Sequence, residues 1–167
     1  MDIQEAYDKL NTWILQSNGL PIDVGLSEQF SFSRNAFLHE SELSRFEKEN
    51  EILLPRDYKD FLISVGSVDI FIGEVSSGIE ILSPYDVGEF SKSVFDNYGD
   101  DLFPELFLTT SISKLGYFGG FLLSSDINMN YGLFYPETPP EWWIEECDFI
   151  SFNEWIIKLV EFRSKKI

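Results

Sequence analysis

At Gly66 the hydrophobic rhythm of the chain changes. Before it, Tyr58, Phe61, Leu62 and Val65 recur at i, i+3, i+4 and i+7, the spacing of one helix face. After it, Val68, Ile70 and Ile72 alternate, Gly73 to Gly78 turns, and Ile79-Glu80-Ile81-Leu82 returns, which predicts a hairpin. A chain that switches period in this way, and does not alternate strand and helix throughout, points to α+β: one mostly antiparallel, twisted sheet with helices packed on it.

The flanking segments agree. Over residues 2–17, Ile3, Ala6, Tyr7, Leu10, Trp13, Ile14 and Ser17 share one helical face, with Gly19 and Pro21 as the stop. Residues 22–37 are weakly patterned and read as loop with one short strand around Phe30 and Phe32. Helix 40–50 turns Leu43 and Phe46 inward, and the next helix is expected to begin with Pro55 at its first position, where a missing amide costs nothing. Glu47 and Lys59 are expected to decorate exposed helix faces. Pro84 opens a helix over 84–98 that Gly99 closes. Strands follow at 106–112, 117–124 and 132–135, with Gly119 and Gly120 marking a bulge or a close backbone approach. Ser151-Phe152-Asn153-Glu154 is a capping box opening a last helix with Phe152, Trp155, Ile156, Leu159 and Val160 inward. Near its end stand Lys158, Arg163, Lys165 and Lys166, where the helix dipole favours positive charge.

Composition narrows the function. The 167 residues carry 12 basic and 29 acidic side chains, a net charge of −17. Such a surface repels nucleic-acid phosphates and anionic lipid and favours a cationic partner. One cysteine, Cys147, and one histidine, His39, exclude an intramolecular disulfide, a CxxC metal or redox site and a His-rich metal site. Cys147 reads as a small buried hydrophobe and His39 as a polar residue before a helix. No GxSxG elbow or GxxxxGK[ST] loop is present, and Gly116 to Gly120 is not GxGxxG, so neither a catalytic triad nor a nucleotide or other cofactor site is expected. The acidic, amphipathic start does not read as a secretory signal and no apolar run is long enough to span a bilayer, so the expected location is cytoplasmic.

A family comes into view over residues 40–66. Leu43-x-x-Phe46-Glu47, then Leu54-Pro55-x-x-Tyr58-Lys59-x-Phe61-Leu62, then Gly66, resembles the N-terminal signature of the SUKH superfamily, which includes fungal cell-wall-assembly regulators and many bacterial immunity proteins. Phe149-x-x-Phe152-x-x-Trp155-Ile156 is similar to the family's terminal helix pattern. The resemblance spans about 40–165, which makes 1–39 an N-terminal helix and loop extension of a single domain over 1–167. It implies a SUKH-like fold and a non-enzymatic binding protein, an antitoxin that shields cells from a secreted toxin, with no catalytic residue, no metal and no cofactor.

Between Ser93 and Ile157 eleven carboxylates face a single lysine, Lys114, and contribute −10 of the −17. A negative surface of this kind accelerates encounter with a basic partner, and nuclease toxins are often basic. Within 136–146, prolines stiffen a loop that carries Trp142 and Trp143 between carboxylates. Adjacent indoles cannot both face one core, so at least one is expected to be exposed. The candidate partner surface is therefore Asp96, Asp100, Asp101, Glu105, Glu137, Glu141, Glu145 and Glu146 for steering, with Tyr135, Trp142 and Trp143 as anchors. Two alternatives stand beside the antitoxin. One is a regulatory adaptor of the cell-wall-regulator type. The other is a hydrolase using Asp100-Asp101 or Glu145-Glu146, disfavoured because neighbouring acids diverge on regular structure.

Overall fold

The computed structural model describes residues 1–98, 100–124 and 128–164. Gly99, Asp126, Lys165, Lys166 and the side chain of Arg163 lie outside the described residues. Helix α1 (Ile3–Ser17) opens with a reciprocal cap: the Asp2 carboxylate accepts from the Glu5 amide at 2.9 Å and the Glu5 carboxylate from the Asp2 amide at 2.8 Å. Strand β1 (Ser31–Ala36) leads to α2 (Glu40–Asn50) and α3 (Arg56–Ser64). Pro55 is the N-cap of α3, one position earlier than expected.

Glu47 and Lys59 correct the sequence reading. Their side chains meet at 3.2 Å, largely shielded, and the other Glu47 oxygen accepts from the Leu54 amide at 2.8 Å. The pair ties α2 to the start of α3. His39 is the N-cap residue of α2, its amide donating to Glu42 at 3.3 Å. Gly66 sits at φ +98, and a Cβ there would run into the Ala36 carbonyl of β1, so glycine is required twice over.

Strands β2 (Ser67–Ile72) and β3 (Ile79–Ile81) form the expected hairpin, with one change of phase. Between the pairs Ser31–Ile72 and Ser33–Asp69, one residue of β1, Phe32, stands opposite two of β2, Ile70 and Phe71, a bulge at which Phe71 adopts φ +53. The bulge turns Phe71 into the core beside Ile70 and leaves Ile72 40% exposed, so Phe71 takes the place that strict alternation gives to Ile72. A bulky residue in this conformation costs about 1–3 kcal/mol. Edge-on contacts with Trp13, Phe30 and Phe32 at 5.0–5.9 Å supply an offset of similar size.

Helix α4 (Pro84–Tyr98) precedes β4 (Leu106–Ile112), β5 (Tyr117–Leu122) and β6 (Tyr131–Phe134), followed by α5 (Pro140–Glu146) and α6 (Phe152–Ser164). The Glu154 amide donates to Ser151 Oγ at 3.4 Å, the N-cap half of the predicted box. Among the described residues, six helices accompany one six-stranded sheet in the order β1-β2-β3-β4-β5-β6, every neighbouring pair antiparallel. The α+β architecture is as expected.

Strand alternation sends side chains to two cores. Phe107, Phe121 and Tyr131 join the large one with Tyr58, Phe61 and Phe152, beneath α1, α3 and α6. Leu106, Leu108 and Phe134 enter a smaller one with Val94, Phe95 and Trp143, beneath α4 and α5. At Gly119 and Gly120 the requirement is close approach. A Cβ on Gly119 would strike the Tyr131 hydroxyl, and one on Gly120 would come within 2.6 Å of the Phe107 carbonyl. The irregular register lies opposite, between Leu108 and Thr110 of β4.

Candidate functional site

The paired indoles lie on a helix, where the sequence reading places a stiff loop. Pro139 is the N-cap and Pro140 the first residue of α5, so its ring removes only an amide without an intrahelical partner. Successive helical residues diverge by about 100°, and the two tryptophans separate accordingly. Trp142 is 48% exposed and Trp143 2%. The Trp143 ring stacks on Phe134 at 5.1 Å and 18°, lies 6.0–6.2 Å from Phe118 and Phe95, and donates its Nε1–H to the Thr138 carbonyl at 2.7 Å. Trp143 as a direct anchor is therefore corrected: an indole enclosed by three rings and a carbonyl is not available to a partner. It docks α5 on the sheet and thereby presents Trp142.

The carboxylates Asp96, Asp100, Asp101, Glu105, Glu137, Glu141, Glu145 and Glu146 are all exposed. The Phe95–Trp143 contact sets the last turn of α4, with Asp96, against α5, with Glu141, Glu145 and Glu146. Tyr135, 46% exposed, stands edge-on to Tyr117 at 4.7 Å where β6 ends. Glu105 is set apart. It precedes β4, which runs in the same direction as β6, so it stands at the opposite end of the strands from Tyr135, roughly 20 Å away. There it accepts from Ser124 Oγ at 3.4 Å. Asp101 uses one oxygen to accept the Phe103 amide at 3.1 Å and so holds the loop before β4.

Lys114, the one cation of the acidic stretch, turns onto the chain itself. Its ammonium donates to the carbonyls of Gly73, Glu74 and Ser76 at 2.9–3.4 Å. Glu28 completes this clamp on the β2–β3 loop by accepting from the Val75 and Ser76 amides at 3.1 and 3.0 Å. Hydrogen bonds from Ser76 and Val75, with Lys114 nearby, hold the Glu28 carboxyl below the usual glutamate range.

A cleft of about 340 Å³ opens between β6 and α5, and its lining includes Leu133, Tyr135, Trp143, Cys147, Asp148 and Ile150, together with Glu146. Ile150 bridges the edge strand through both of its backbone groups to Tyr131, at 2.8 and 3.0 Å. Cys147 Sγ lies 3.9 Å from the Leu133 carbonyl, and burial pushes its thiol above the usual cysteine range, which disfavours the reactive thiolate. Sequence reasoning did not find this cleft. Its far wall comes from a nineteen-residue return of the chain to Tyr131, which leaves no periodic signal.

Among the described residues, no group of three or more His, Cys, Asp or Glu side chains stands where it could hold a metal ion, and no helix is long and apolar enough to cross a membrane. Of the paired acids weighed for hydrolysis, only Glu146 lines the cleft.

No family model matches the chain, and no solved structure matches it. By sequence it is similar to immunity protein RhsIB of Dickeya dadantii (strain 3937), 60% identical over 167 residues that cover 100% of both proteins. A likeness of that extent is a family relationship: the chain belongs to the family of immunity protein RhsIB.

Proposed function

We propose that this protein neutralises an Rhs-type toxin domain by binding and occluding it in the cytoplasm, without turnover. The observation that carries the reading is the full-length likeness to an immunity protein. The charge supports a basic toxin, and a nuclease is the natural class, because its active surface must attract phosphates that this surface would displace. Steering falls to the exposed carboxylates Asp96, Asp100, Asp101, Glu105, Glu137, Glu141, Glu145 and Glu146, and anchoring to Trp142 and Tyr135. The motif over residues 40–66 supports placing the family within the SUKH superfamily.

The test is co-expression with the toxin domain encoded beside its gene. Cells should survive induction of the toxin only when this protein is present. Equal survival in its absence would reject the immunity reading.

A further inference from the structure

The cleft between β6 and α5 combines the outer edge of β6, beyond its bridge to Ile150, with an exposed aromatic ring and charge of a single sign. Leu133 stands two residues beyond Tyr131, so its backbone faces away from β5 in the same way, toward Cys147 and the cleft. Tyr135 supplies the exposed aromatic surface, Trp143 lies buried behind it, and Leu133 and Ile150 form an apolar side. The charged residues lining it are Glu146 and Asp148, both exposed at the mouth. An apolar slot with an anionic mouth suits a side chain that has an aliphatic stem and a cationic head. Of the two such side chains, arginine fits better. Its planar guanidinium lies flat on aromatic surface and pairs with carboxylates through a fixed fork, which a lysine ammonium cannot do.

We propose that this cleft receives an arginine side chain of the partner protein. The proposal rests on the immunity reading and adds to it a defined receptor next to Trp142. It also gives Asp148 and Ile150 a role that the stretch around the paired indoles alone does not suggest.

The experiment is a titration of the isotopically labelled protein with N-acetyl-arginine amide, read by amide and indole NMR shifts. N-acetyl-lysine amide and the uncharged N-acetyl-citrulline amide serve as comparisons. Arginine amide should shift Leu133, Ile150 and the Trp143 indole with saturation on the order of millimolar, lysine amide should do so more weakly, and citrulline amide should not. The double variant Glu146→Gln with Asp148→Asn, both at exposed positions, should weaken that binding about fivefold to tenfold and weaken the toxin domain's affinity by a similar factor. Absence of shifts, equal shifts with citrulline or lysine amide, or an unchanged toxin affinity in the double variant would overturn the proposal. The titration needs no toxin, so its failure is distinct from a failure of the wild-type chain to protect cells.

Discussion

The two cores on opposite faces of the sheet are built from the same material and serve different ends. In the larger, Phe152 is ringed by Tyr58, Phe61, Phe121, Tyr131 and Trp155 at 5.0–6.5 Å, and three helices share the burial. In the smaller, Trp143 is the only fully buried aromatic contributed by α5, a helix of seven residues. A helix that short does not persist in water by propensity. It exists because one indole is seated on Phe134 and one proline is pre-set at its start. The large core thus holds the fold, and the small one holds in place the helix we propose for recognition.

The sharpest way to break this contrast is to empty each core in turn. Phe152→Ala should cost about 3–5 kcal/mol in urea unfolding, because it removes the ring on which three helices and the sheet converge. Trp143→Ala should cost about 3 kcal/mol, with its effect concentrated in residues 140–147, whose amides should exchange with solvent well before those of α6. If both variants lose protection uniformly across the chain, the two cores are one cooperative unit and the contrast fails.

Surface changes over the small core should separate binding from stability. Trp142→Ala should leave unfolding within about 0.5 kcal/mol of wild type and reduce toxin affinity about thirtyfold, the loss expected of a hot-spot tryptophan. Glu141→Lys combined with Glu145→Lys should slow association about tenfold at low salt, with little change in melting temperature and a smaller effect at high salt. An unchanged on-rate would move the interface away from α5.

The smallest effect belongs to the sheet beside the large core. Glu80 stands directly across β2–β3 from Asp69, and desolvation, then Asp69, then Asp86 raise its carboxyl above the usual glutamate range. A carboxyl that holds its proton more tightly when folded destabilises the folded state at neutral pH, and the penalty fades as pH falls through the raised value. Glu80→Gln should therefore stabilise the protein by about 0.2–1 kcal/mol at pH 7, and the gap between variant and wild type should close as pH falls through the raised value. A gap that is constant with pH would assign the effect to packing and not to charge.

Much of this architecture was legible in the chain. The helical stripe of α1, the change of period at Gly66 and the N-cap at Ser151 are each local, and local physics decided them. What escaped notice was set by distant partners. Phe71 turns inward because β1 imposes a bulge, against its own strand phase. Glu47 and Lys59 looked like surface charges because helical position does not reveal that α3 folds back on α2. The divergence of the two indoles was readable, since no regular structure aligns neighbours, but which one would be enclosed was not. That choice depended on Phe95, Phe118 and Phe134 from three other elements. The acidic character of the surface followed from counting. The separation of Glu105 from Tyr135 followed only from the direction of the strands.

The order β1 to β6 along the sheet is also the order of synthesis. Each strand after the first leaves the ribosome to find a mate in the chain already made, and α6 then closes the large core. For a protein whose task is to be ready before a poison acts, a shape that can be laid down strand by strand shortens the interval between translation and readiness.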